Sequence, residues 1–172
     1  MFKLFKLLVI TGLICFLFLY VLRPYCVNGN SMSNTINDGD YVLINCLDYN
    51  MNNIERFDIV VLDCDGKEIV KRVIGLPNEV IKYRDDQLYV NHIPVKEDFI
   101  SDDYIEEMKN TYLKDYFTED FSVELGDDEY FVLGDNRLES DDSRVYGTFC
   151  KDDIIGVNGL VVYPFEDFKF LD

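Results

Sequence analysis

Sixteen consecutive residues near the N-terminus, Leu7 to Leu22 (LLVITGLICFLFLYVL), carry no charge. At about 1.5 Å of rise per helical residue the run covers roughly 24 Å, slightly less than the hydrocarbon core of a bilayer. Phe5 and the stem of Lys6 extend it, because a lysine near a helix end can reach the headgroups with its amine. A cleaved secretory signal shares the basic start at Lys3 and Lys6 but needs small residues close behind, where Leu22-Arg23-Pro24-Tyr25 stands. A lipoprotein signal would use Cys26, which bulky Tyr25 precedes. The reading adopted is a retained anchor. Lys3, Lys6 and the N-terminal amine outweigh Arg23, so the positive-inside rule puts the N-terminus in the cytoplasm and the body of the chain outside the plasma membrane. The expected division is a cytoplasmic tail at 1–6, a transmembrane anchor at 7–25 and an extracytoplasmic domain at 26–172.

Beyond the anchor, short apolar runs alternate with turn residues. Tyr41–Ile44 follows Asp38-Gly39-Asp40, Ile59–Leu62 precedes Asp65-Gly66, and Ile69–Ile74 is β-branched. Val80 to Val90 predicts a hairpin turning at Asp85-Asp86, and Tyr130–Leu133 and Ile154–Tyr163 predict two further strands. With no amphipathic helices between them, these strands predict a mainly β fold. Residues 96–130 differ, with many carboxylates threaded by aromatic side chains. They predict a small acidic insertion, with one helix over Asp102 to Asp115, standing off the core as a solvated excursion.

The formal charge of −17 excludes a nucleic-acid partner, since phosphates would be repelled. Five cysteines (Cys15, Cys26, Cys46, Cys64, Cys150) lack the short spacings of a zinc site, and their odd number does not complete a disulfide framework. The single histidine, His92, lies where the hairpin ends and reads as a surface turn, which weighs against Ser/His chemistry.

Three stretches carry chemistry. The first is Gly29-Asn-Ser31-Met32-Ser-Asn34-Thr35. The second is Lys71-Arg72-Val-Ile74-Gly75-Leu76-Pro77, forty positions after the serine. A lysine in an apolar β-branched strand either turns its amine to solvent or is buried with a lowered pKa. The third is Gly134-Asp135-Asn136-Arg137, then Ser140, Asp142, Ser143, Arg144 and Gly147, a structured polar turn after a strand.

In order and spacing the three stretches resemble type I signal peptidases of the Gram-positive form, from the N-terminus to about Gly159. The resemblance implies a signal-peptidase-like β-fold with a Ser/Lys dyad, cutting signal peptides from exported preproteins at the outer face of the membrane. Ser31 would be the nucleophile and Lys71 its general base. A serine hydroxyl needs a neighbouring base, and lysine can serve only when neutral, its pKa lowered from about 10.4 toward about 8. Ser140 would orient the amine, Asp142 and Arg144 would form a supporting ion pair, and Met32 would help bind substrate. The Ser31 N–H would stabilise the oxyanion, while Gly29 stands where some relatives supply a second donor from a serine. The expected partners are signal peptides and the lipid bilayer, with no metal or organic cofactor.

Two departures from the family pattern stand out. Asn34 replaces the usual proline, which predicts a freer loop after Ser31. Asn78-Glu79 replaces Gly-Asp, a turn that asparagine can keep because it tolerates a left-handed backbone. Both leave open a low-activity or non-catalytic peptide-binding homologue. Self-cleaving repressors share the dyad but carry a DNA-binding domain where this chain has its apolar run.

Overall fold

The computed structural model describes residues 2–46 and 54–171. Helix α1 (Phe2–Tyr20) contains most of the apolar run, and Leu4, Phe5, Leu7, Leu8, Leu13, Ile14 and Phe16 are exposed along it. Among the described residues no helix is long and apolar enough to cross a membrane. The anchor expected at 7–25 is also displaced: the helix begins at Phe2, and Leu22–Cys26 forms strand β1 instead. Pro24 explains the change, because proline cannot continue a helix and biases the residue before it toward extended backbone. It is tolerated here because β1 is an edge strand.

Among the described residues thirteen strands build three antiparallel sheets. The first holds β1, β2 (Tyr41–Asn45), β12 (Gly159–Tyr163) and β13 (Lys169–Leu171), in that order. The second runs β10 (Phe149–Cys150), β9 (Glu129–Leu133), β4 (Lys67–Gly75), β3 (Ile59–Cys64), β11 (Ile154–Val157). The third runs β7 (Ile93–Val95), β6 (Gln87–Val90), β5 (Val80–Arg84), β8 (Phe121–Glu124). The mainly β expectation therefore holds. Strand β4 lies at the centre of the second sheet and is buried from Ile69 to Gly75, which accounts for its unbroken apolar run. One of its faces packs Val70 against Met32, Ile36, Val42 and Val161 from the first sheet and its loops. Ile69 and Val73 pack with Val132, Phe149 and Ile154 in a second apolar cluster.

The hairpin turn forms at Asp85-Asp86, both with positive φ (51° and 61°). The single strand expected over Ile154–Tyr163 is instead two. Asn158 takes φ 54° between them, its Oδ1 accepting from the Ile59 N–H and its Nδ2 donating to Asp58. Strand β11 thereby pairs with β3 and β12 with β2, so the chain crosses from one sheet to the next at this residue.

The acidic insertion holds the expected helix, α2 (Asp102–Tyr112), with Ser101 accepting from the Tyr104 N–H at its start and Leu113 left-handed (φ 53°) at its end. It is not a simple excursion. Ile100, Phe117 and Thr118 are buried, and β8 pairs along β5 from Val80 to Tyr83. Period-2 apolar spacing in Phe121-Ser-Val-Glu124 was masked by the surrounding carboxylates.

Candidate active site

The loop between β1 and β2 begins and ends on a clasp: the Val27 N–H donates to Asp40 at 2.9 Å and the Gly39 N–H to Val27 at 3.0 Å. Inside it Gly29 takes φ 98° and its N–H donates to Asp38 Oδ1 at 2.7 Å. That backbone suits glycine, and it places no side-chain donor beside Ser31. A tight turn follows, with the Ser33 N–H donating to the Asn30 carbonyl at 3.0 Å. Met32 and Ile36 are sunk in the core at 1% and 0% exposure, so the turn carrying Ser31 is anchored by apolar burial just after the serine. Met32 thus belongs first to the core, although it also touches the groove beside Ser31.

From the central strand β4, Lys71 reaches the same place. Its Nζ lies 2.8 Å from Ser31 Oγ, and the residue is 3% exposed. Burial lowers its pKa from the usual 10.5 to about 8, opposed by the nearby Asp142 carboxylate and assisted by Lys67. A neutral amine at hydrogen-bond distance from a hydroxyl can accept the hydroxyl proton. The Ser31 N–H has no acceptor among the described residues and is free to serve an oxyanion.

The late polar turn holds the nucleophile loop by its backbone. The Asn136 N–H donates to the Ser31 carbonyl at 3.0 Å, and Asn136 Nδ2 donates to the Asn30 carbonyl at 3.2 Å. Gly134 lets these segments meet, since a Cβ there would collide with Ser140 Oγ and the Ser31 carbonyl oxygen. Asp142 is fully buried and forms a two-pronged pair with Arg144 (2.9 and 2.8 Å) while accepting from the Gly134 N–H at 3.0 Å. Burial alone would raise the Asp142 pKa; the Arg144 guanidinium and the Gly134 N–H outweigh it and leave the carboxyl below its ordinary value.

Ser140 differs from expectation. Its hydroxyl is buried close enough to Asp142 to favour the charged carboxylate, yet it meets no partner in hydrogen-bond geometry, and no hydrogen bond joins it to Lys71. Among the described residues, the only hydrogen bond of the Lys71 amine is the one to Ser31.

Sequence reasoning assigned no role to the pair formed by Arg72 and Asp135, which are 3% and 0% exposed. Arg72 donates to both Asp135 oxygens (2.9 and 2.8 Å) and to the Phe57 carbonyl, and Thr35 Oγ1 donates to Asp135 at 2.5 Å. This pair joins β4, the late turn and the nucleophile loop. The signal available was an arginine in a buried strand, which requires a partner. Similarly, Arg137 donates to Glu97, to Tyr83 Oη at 2.8 Å and to the Gly134 carbonyl at 3.0 Å, fastening the insertion to the late turn.

The departures have structural causes. Asn34 takes φ 87°, which proline cannot adopt, and its Nδ2 donates to the Phe99 carbonyl at 2.8 Å. Tyr104 Oη donates to the Ser33 carbonyl at 3.1 Å, so the insertion tethers the loop that was expected to be freer. Asn78 takes φ 65° as anticipated, and Glu79 accepts from the Leu76 N–H at 2.7 Å while paired with Arg56. His92 is exposed in the turn between β6 and β7.

A groove of about 350 Å³ opens beside Ser31 and Lys71, walled by Tyr25, Ile69, Val70 and Tyr146, with Glu139 and Asp141 along it. Among the described residues no group of three or more His, Cys, Asp or Glu side chains is arranged to hold a metal ion.

The family described as signal peptidase, peptidase S26, matches residues 1–163. The chain is 38% identical over 167 residues to signal peptidase I U of Bacillus subtilis (strain 168), covering 95% of this chain and 88% of that one. It is 33% identical over 167 residues to signal peptidase IB of Staphylococcus aureus (strain MRSA252), covering 88% and 83%. The crystal structure of a signal peptidase I from Enterococcus faecalis V583 superposes with a TM-score of 0.55 at 35% identity, over 62% of this chain and 97% of that one. With the match spanning nearly the whole chain, the protein belongs to the signal peptidase family, peptidase S26.

Proposed function

We propose that this chain is a membrane-anchored serine endopeptidase that removes N-terminal signal peptides from exported preproteins. The observation that carries the reading is the 2.8 Å approach of Lys71 Nζ to Ser31 Oγ at a lysine whose pKa falls to about 8. Neutral Lys71 takes the Ser31 hydroxyl proton as Oγ attacks the scissile carbonyl. The tetrahedral oxyanion accepts from the Ser31 N–H. As the C–N bond breaks, the Lys71 ammonium returns the proton to the leaving amine, and an ester to Ser31 remains. Lys71 then takes a proton from water, hydroxide attacks the ester, and the same proton goes back to Oγ. Asp142 and Arg144 support the late turn rather than take part in proton transfer.

The groove beside Ser31 is walled by an apolar strand and suits an extended peptide with small side chains near the cut. In this reading α1 is the anchor, with Lys3 and Lys6 on the cytoplasmic side and the three sheets outside the plasma membrane. Beyond Lys6 its uncharged stretch, Leu7 to Tyr20, reaches roughly 21 Å, short of the hydrocarbon thickness, and the Lys6 stem can extend it toward the headgroups. The sheet that follows α1 and the connection between β12 and β13 expose Tyr41, Tyr163, Phe165, Phe168 and Phe170, side chains suited to a membrane interface.

The test is cleavage of a preprotein in detergent by the wild type, Ser31→Ala and Lys71→Ala, with product N-termini sequenced. A single cut behind the signal peptide, lost in both variants, is expected. Undiminished cleavage by either variant refutes the dyad.

A further inference from the structure

We propose that Asn136 is a positioning residue that aims the Ser31 N–H at the developing oxyanion. The proposal rests on the peptidase reading above, in which that N–H is the oxyanion donor.

Asn136 is 2% exposed and grips two successive carbonyls, that of Ser31 through its backbone N–H (3.0 Å) and that of Asn30 through Nδ2 (3.2 Å). The peptide joining Asn30 to Ser31 is trans and planar, so its carbonyl and its N–H point in opposite directions. Holding the Asn30 oxygen on one side therefore sets the direction of the Ser31 N–H on the other. The same oxygen also accepts from the Ser33 N–H at 3.0 Å. Two donors on one carbonyl polarise its peptide and make the N–H at the opposite end a stronger donor.

The other end of the amide explains nothing structural. Among the described residues Asn136 Oδ1 is buried without a hydrogen-bond partner, and the only further acceptor for Nδ2 is Glu139 at a long 3.4 Å. An apolar side chain of the same shape would be easier to bury here than an amide with an orphaned carbonyl. What such a side chain would lack is the grip on Asn30. The Asn136 backbone bond to Ser31 and the Ser33 turn would survive the change, so the loop itself would keep its fold.

The experiment compares the full-length wild type with Asn136→Leu, Asn136→Asp and Ser31→Ala in detergent. Removing an oxyanion donor outright costs about a hundredfold or more, so weakening its aim is expected to lower kcat by about tenfold in both Asn136 variants, with KM little changed. The melting temperature of Asn136→Leu should equal or exceed that of the wild type, and the pH at half-maximal rate should stay near 8. A peptide aldehyde, which forms a tetrahedral adduct on Ser31, should lose affinity in the variants, while the matching peptide alcohol should not. Full kcat in Asn136→Leu, equal loss for aldehyde and alcohol, or a kcat that falls only in step with melting temperature each overturns the proposal. An inactive Ser31→Ala beside a fully active Asn136→Leu defeats the positioning role alone. A Ser31→Ala chain as active as the wild type defeats the peptidase reading beneath it.

Discussion

Replacing Lys71 by methionine should abolish cleavage and stabilise the fold at neutral pH. The side chain is 3% exposed, and its pKa falls from 10.5 to about 8. That difference corresponds to roughly 3 kcal/mol paid to keep the amine charged in the folded state below pH 8. Between about pH 8 and 10.5 the unfolded chain holds this proton and the folded chain does not, so wild-type stability rises with pH across the window. Methionine fills a similar volume without a charge and gives up the contact with Ser31, worth about 1 kcal/mol. Lys71→Met is therefore expected to be about 2 kcal/mol more stable than the wild type at pH 7, with the gap closing as pH approaches 10.5. Urea unfolding of both chains in one detergent, at closely spaced pH values, measures the difference and cancels the other titrating groups. A variant less stable than the wild type at pH 7, or a gap that stays constant to pH 10.5, would show that Lys71 is not held in a desolvated site.

Asn34→Pro restores the residue usual in the family, yet it should destabilise this chain by about 3 kcal/mol, because φ 87° is closed to proline. A melting temperature at or above that of the wild type would contradict the left-handed backbone. Asp135→Ala strands the Arg72 guanidinium in the interior and should cost about 3–5 kcal/mol in urea unfolding. Arg72→Met combined with Asp135→Ala should recover part of that loss, and a double variant no better than the single one would count against a charge-burial penalty.

The central features of the site were legible in residue order alone. Short apolar runs bounded by turn residues marked β2, β5, β6 and β9, and a lysine among β-branched neighbours announced an unusual amine in β4. Such patterns report burial, which is local and repeats every second residue along a strand. They do not report partners. Arg72 meets Asp135 across 63 positions, Arg137 meets Glu97 across 40, and Asn136 meets Asn30 across 106. Which charges meet depends on how β4 and β9 register and on where loops cross the sheets, and no short window of sequence contains that information.

The sequence by itself determined that a serine and a lysine would be presented on a β-rich body behind an apolar segment, because motif spacing and alternation are properties of the chain. Tertiary structure decided how far the Lys71 pKa falls, since desolvation depends on what surrounds the amine in space. It also decided that Asn34 turns left-handed to meet Phe99, that the strand expected over Ile154–Tyr163 breaks at Asn158 to join two sheets, and that Ser140 leaves the amine to Ser31. Each of these outcomes rests on contacts between segments far apart along the chain, whose energies exist only once the sheets have packed.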